Sequence, residues 1–298
     1  MTIRGRLATS LAVLLTVLLT GALTSGPMSA APAAAEDNCF RPQEDQAAKP
    51  DMWAQRRLGL SRIRPLTTGK GVVVAVIDSG IDVTRQHLAG QGKVIAGRDV
   101  LGAPGGPSTR DCNGHGTGVA AILAGRSVGG LPFAGVAPDA TLLSIRAVEK
   151  GASKETNRGS TAQLVAALAE AVAQHARVIN ISAGIQRDDP ALRAAVRDTL
   201  AHDIVIVASA GNDDQDTTRK PEEARKPYYP AAYPGVIAVA ATDKVDQRSD
   251  ISHVGSYVDI AAPGEDVMTV AANGPAVYVS VAGTSYAAPF VAGTAALV

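Results

Sequence analysis

The feature that most restricts this chain is a repeated change of hydrophobic period, from β-branched runs to amphipathic helical stretches. Residues 72–77 form an unbroken apolar run, and 140–146, 178–182, 204–208 and 236–240 read as further strands. Between them, 161–173 and 190–201 place apolar residues at helical spacing. A run without polar alternation suits a strand covered on both faces, and strands alternating with helices imply parallel pairing through right-handed crossovers. The expected fold class is therefore α/β: a mostly parallel sheet with helices on both faces. Residues 249–263 read as a short strand pair ending in apolar 258–262, and 277–282 lead into the segment that carries Ser285. Aromatic residues make up only 3% of the chain, so the layers must be packed from small aliphatic side chains.

In such sheets reactive groups collect beyond the carboxyl ends of the strands. Asp78 ends the 72–77 run, while Asp82, one loop further on, reads as a turn residue. Ser182, Ala183 and Gly184 end another strand and could offer an open backbone edge to an extended peptide. Asn212 ends a third, where its amide could donate to an oxyanion, although an Asn after Gly is also an ordinary turn residue. His115 lies in NGHGTGVA at 113–120, where flanking glycines bring the backbone close to the imidazole and a helical pattern follows to 125. The other histidines, His87, His175, His202 and His253, read as surface or loop residues. Ser285, in GTSYAAPFVAG at 283–293, opens an apolar helix with Pro289 placed in its first turn. By itself Ser285 would be a helix cap. With an Asp and a His upstream it has the two partners that a serine nucleophile needs, and its own N–H and the helix dipole point at an oxyanion position.

With 28 basic and 28 acidic side chains the net charge is zero, which gives no sign of nucleic-acid binding. Two arginines within 1–6, an apolar stretch at 7–23 and the alanines at 33–35 describe a secretory signal peptide over 1–35, with an uncleaved N-terminal anchor as the alternative. Residues 36–71 read as an arm with little regular structure, carrying one short helix at 52–60. Export gives Cys39 and Cys112 meaning: in an oxidising compartment one bridge would tie the arm to the face that carries His115, two free thiols being the alternative. Without that tie the arm would be held by sparse contacts and would fray. TGKG at 68–71 precedes a strand where a phosphate loop must follow one. No acidic spacing names a calcium site, a structural calcium being left open, and the serine chemistry calls for no metal or cofactor.

The order Asp78, His115, Asn212, Ser285 resembles that of the subtilisin-like serine proteases. VVVAVIDSGID, NGHGTGVA, VASAGND and GTSYAAPFVAG match that family's four signature segments, with coverage from about residue 72 to the end. Within the family, the arm WAQRRLGLSRIRPLTTGKG, the turn DCNGHGT and FAGVAPDATLLSIR at 133–146 resemble the mycosins, subtilases associated with type VII secretion in actinobacteria. The resemblance implies a subtilisin-like three-layer peptidase domain over 72–298 and serine endopeptidase activity on protein or peptide substrates. It implies Asp78, His115 and Ser285 as the triad and Asn212 with the Ser285 N–H as oxyanion donors. It also implies that the 36–71 arm wraps the domain, held by a Cys39–Cys112 disulfide, with the active site outside the cytoplasm, secreted or at the outer face of the cell membrane. Secretion-complex subunits are the implied partners. Subtilases continue past the point where Val298 ends this sequence, and mycosins add a membrane-spanning helix. The expectation is an incomplete chain whose membrane attachment would come from a C-terminal segment. Two rival readings are a scaffold subunit with a dispensable triad and a free extracellular degradative subtilase.

Overall fold

A computed structural model describes residues 39–47, 49, 51–102, 107–130, 133–148, 160–213, 226–275 and 277–298. The expected signal peptide and most of the charged loop after Asn212 lie outside the described residues. Seven strands form one parallel sheet: β1 Val73–Asp78, β2 Val94–Asp99, β3 Thr141–Arg146, β4 Val178–Ile181, β5 Val205–Ser209, β6 Val236–Thr242 and β7 Ile260–Pro263. Their spatial order is β2-β3-β1-β4-β5-β6-β7. This is the α/β class that the sequence predicts.

Alternate residues of β1 explain why its sequence has no polar face. Val74 and Val76 pack with α3 (His115–Ala124) and α6 (Thr284–Ala295), while Ala75 and Ile77 pack with α4 (Thr161–Ala173) and α5 (Pro190–Ala201). Both sides of the strand are thus lined by helices, in three layers. The outer helices begin at well-formed caps: Ser160 and Gln163 close a capping box on α4, and Asp189 caps α5 just before Pro190. β1 has β3 on one side and β4 on the other, so the direction of strand succession reverses there. A crevice forms beyond the carboxyl end of such a strand, and Asp78 stands at that end.

Several local expectations change. Of 249–263 only Ile260–Pro263 is a strand, and it joins β6 in parallel instead of forming a hairpin. The Ser252 hydroxyl and the Asp259 carboxylate take the Ala241 and Ala238 N–H groups of β6, so this stretch caps the strand instead of pairing with itself. β8 (Val267–Val270) pairs antiparallel with β9 (Tyr278–Val281) in a separate small sheet. Pro289 sits inside α6, not in its first turn.

The expected single helix of the arm is two, α1 (Trp53–Arg57) and α2 (Leu60–Ile63), parted where Gly59 adopts a left-handed φ of 63°. Nor is this part of the arm loosely held. Trp53, Ala54 and Leu60 belong to the core, and the Trp53 indole N–H donates to the Asp266 carbonyl at 2.9 Å. Burying one side chain the size of Leu60 stabilises by about 1.5–3 kcal/mol. Upstream, Cys39 is bonded to Cys112 and the Phe40 N–H donates to the Cys112 carbonyl at 2.8 Å. Among the described residues no helix is long and apolar enough to cross a membrane.

Candidate active site

Asp78 and His115 meet because β1 delivers the carboxylate to the crevice and α3 starts beside it. His115 is the first residue of α3; the other nine are buried, which fixes the direction of the first turn. Its Nδ1 lies 2.7 Å from Asp78 Oδ1, and both side chains are largely buried, at 11% and 3% exposure. The same carboxylate oxygen accepts the Ser79 N–H at 2.8 Å. An Nδ1–H held this way leaves Nε2 as the nitrogen able to take a proton.

Asp111, which the sequence reading did not single out, organises this turn. Its Oδ1 accepts from the Ser79 hydroxyl and from the Asn113 and Gly114 N–H groups, and its Oδ2 from the Thr117 N–H and hydroxyl. One carboxylate thereby ties the residue after Asp78 to both sides of His115. Burial pushes its carboxyl above the ordinary carboxylate range, against the pull of the Thr117 and Gly114 bonds. An Asp four residues before a His at a helix start is the signal that could have found it.

Ser285 is the second residue of α6, a helix packed against α3. Its neighbour Tyr286 lays its ring 4.9 Å from the His115 imidazole. Among the described residues no hydrogen bond joins Ser285 to His115; in catalytic sites such bonds often tighten only when substrate is bound. The Ser285 carbonyl is held from below: Pro289, four residues on, has no N–H to give it, and the Ser182 hydroxyl donates to it at 2.9 Å. Asn180 in turn donates to that hydroxyl at 2.9 Å. The Ser182 side chain is therefore committed to the serine helix. The backbone of 182–184 lies between the end of the β4 ladder at Ile181 and the bridge from Ile185 to Tyr229.

Asn212 comes to the start of α6. Its Oδ1 accepts the Thr284 N–H at 2.9 Å and the Thr284 hydroxyl at 3.0 Å. An N–H can only donate, so the amide oxygen must face Thr284 and the NH2 group faces away. Gly283 places nothing over it: a Cβ there would lie 3.4 Å from Nδ2. Beside the imidazole a cleft of about 720 Å³ is lined by His115, Asn113, Tyr286, Val281, Phe40 and Gln46, the last two from the arm. Among the described residues no group of three or more His, Cys, Asp or Glu is placed to hold a metal ion.

Two of the histidines read as surface or loop residues are buried. His87 is 1% exposed, between the Arg126 carbonyl and the Tyr278 hydroxyl, and His253 is 2% exposed beside Asp213. Their partners lie at least 39 residues away, beyond the reach of a local pattern.

Residues 69–298 match the subtilase family, Peptidase_S8. A thermophilic serine proteinase of Bacillus sp. (strain AK1) is 37% identical over 227 residues, which cover 76% of this chain and 52% of that protein. The chain thus spans about half the length of that relative. The crystal structure of MycP1 from Mycobacterium smegmatis superimposes with a TM-score of 0.71 at 31% identity, covering 87% of this chain and 77% of the other. The MycP3 protease from the type VII (ESX-3) secretion system gives 0.66 at 32% identity over 85% and 77%.

Proposed function

Because this chain belongs to the subtilase family, we propose that it is a serine endopeptidase whose Ser285 attacks the peptide carbonyl while His115 takes the hydroxyl proton. The observation that carries this reading is the buried Asp78–His115 bond of 2.7 Å, set beside a helix whose second residue is a serine. Asp78 holds the imidazole with Nε2 toward the reaction and stabilises its positive charge. The carbonyl oxygen becomes an oxyanion, and the Ser285 N–H and the Asn212 amide donate to it. Collapse expels the amine, which receives the proton from His115. Water then attacks the acyl group on Ser285 by the same route and frees the acid. The extended substrate runs along the backbone of Ser182, Ala183 and Gly184.

The likeness to MycP1 and MycP3 supports a finer assignment, a mycosin that acts outside the cytoplasm together with a type VII secretion complex. Ser285→Ala and His115→Ala should each lower cleavage of a peptide substrate by orders of magnitude, to nearly the same floor, because these groups act as one unit. That floor is the behaviour measured for a subtilisin triad. Turnover at the wild-type rate in Ser285→Ala would overturn the reading.

A further inference from the structure

The loop that carries Asn212 is fixed by a histidine–carboxylate hydrogen bond that the peptidase chemistry does not use. Asn212 lies three residues past the end of β5 and bridges Ser252. On either side of that bridge the Asp213 N–H donates to the Ile251 carbonyl and the His253 N–H to the Gly211 carbonyl. The two side chains next to the bridge then meet, with His253 Nδ1 2.5 Å from Asp213 Oδ1. The histidine is 2% exposed and the aspartate 35%. Tyr228 stands edge-on to the imidazole at 5.1 Å and gives its hydroxyl to the Asn212 carbonyl. Tyr257 gives its own to the Ala210 carbonyl. The 249–253 segment is itself bolted to β6, through the Ser249 and Ala241 backbones and the Ser252 hydroxyl. An imidazole held in this way links the rigid sheet to the residue that follows Asn212.

We infer that His253 is a positioning residue for the oxyanion donor, acting through Asp213 to hold the Asn212 amide where charge develops. The inference rests on the reading of Asn212 given above. A carboxylate adjoining an oxyanion site opposes the charge that forms there, and pairing it with His253 keeps it turned to the imidazole. The donor must also hold its place without reorganising as the reaction proceeds. A displacement of about 1 Å in such a group can cost roughly 100-fold in rate.

The experiment is a double-mutant comparison on a peptide substrate, with enzyme concentrations fixed by active-site titration. Asn212→Ala should lower kcat by about 10²–10³, the loss measured for this kind of donor in a subtilisin. His253→Ala should lower kcat by up to about 100-fold with KM nearly unchanged. His253→Asn, which keeps an N–H close to the place of Nδ1, should recover most of that loss. In the Asn212→Ala background His253→Ala should add nothing, since the group it positions is gone. A loss of the same size in that background, a loss confined to KM, or no recovery in His253→Asn would overturn the inference. If Asn212→Ala leaves kcat intact, the donor reading fails and the inference falls with it. If Asn212→Ala is impaired and His253→Ala is not, the inference alone fails. Should His253→Ala not fold, Asp213→Ala carries the same comparison at a partly exposed position.

Discussion

Pro289 removes the N–H that would bond the Ser285 carbonyl in a regular helix, and Ser182 supplies a donor in its place. The consequence is measurable at one hydroxyl. Ser182→Ala leaves a carbonyl without that donor at the start of α6 and should cost about 1–3 kcal/mol of stability in urea unfolding. Ser182→Thr, which keeps the hydroxyl, should cost less. Equal losses in both variants would show that shape, not the bond, matters at this position. Asn212 follows the same logic, since Thr284 engages its oxygen and so leaves its NH2 group turned outward. Such pairings were not legible in the sequence. Ser182 and Ser285 are 103 positions apart, and Asn212 and Thr284 are 72. What could be read locally was residue type at strand and helix ends: Asp78, His115, Asn212 and Ser285 each stand at or just past such an end.

At the scale of elements, β1, β4 and α3 were legible because burial on all sides leaves an unbroken apolar or small-residue pattern. β2 was missed because it is an edge strand with mixed burial, and its sequence VIAGRD has no clear period. The 249–263 segment was misread because its polar side chains bond to β6, which no local pattern reports. The arm combines both cases. Its cysteine could be named, but the docking of Trp53 and Leu60 depends on core surface far along the chain. The Cys39–Cys112 bridge spans 73 positions, which in the chain-entropy view contributes roughly 4 kcal/mol. Reduction should therefore loosen the stretch before Asp51 while α1 and α2 stay docked. Limited digestion with a glutamyl endopeptidase should speed up at Glu44 on reduction, with no tryptic cuts appearing at Arg56 or Arg57. New cuts at those arginines would show that the bridge, not the core, holds the helices.

For the whole molecule, the position of β1 at the reversal of strand order brings four distant segments to one crevice. The sheet's stability should be coupled to pH through Lys93, which precedes β2 with its side-chain nitrogen buried against the Pro138 and Ala140 carbonyls at 2.9 and 2.8 Å. Burial, aided by the charge of Arg126, lowers its pKa to about 7. Its folded pKa lies below its unfolded value, so the unfolded chain binds the extra proton between about pH 7 and 10.4. Stability should rise with pH across that window, with a slope of up to about 1.4 kcal/mol per unit, and fall again as pH drops toward 7. Urea unfolding of Lys93→Met over the same range should show a flatter profile; an identical slope would remove Lys93 as its source. In the crevice itself, Asp78 and His115 should make Ser285 a nucleophile. Reacting the folded protein with a fluorophosphonate and locating the adduct by peptide mass mapping tests this. One adduct, on Ser285, should form in the wild type and be lost in His115→Ala. An unmodified Ser285 in folded wild-type protein, or an adduct that forms equally fast without His115, would contradict it.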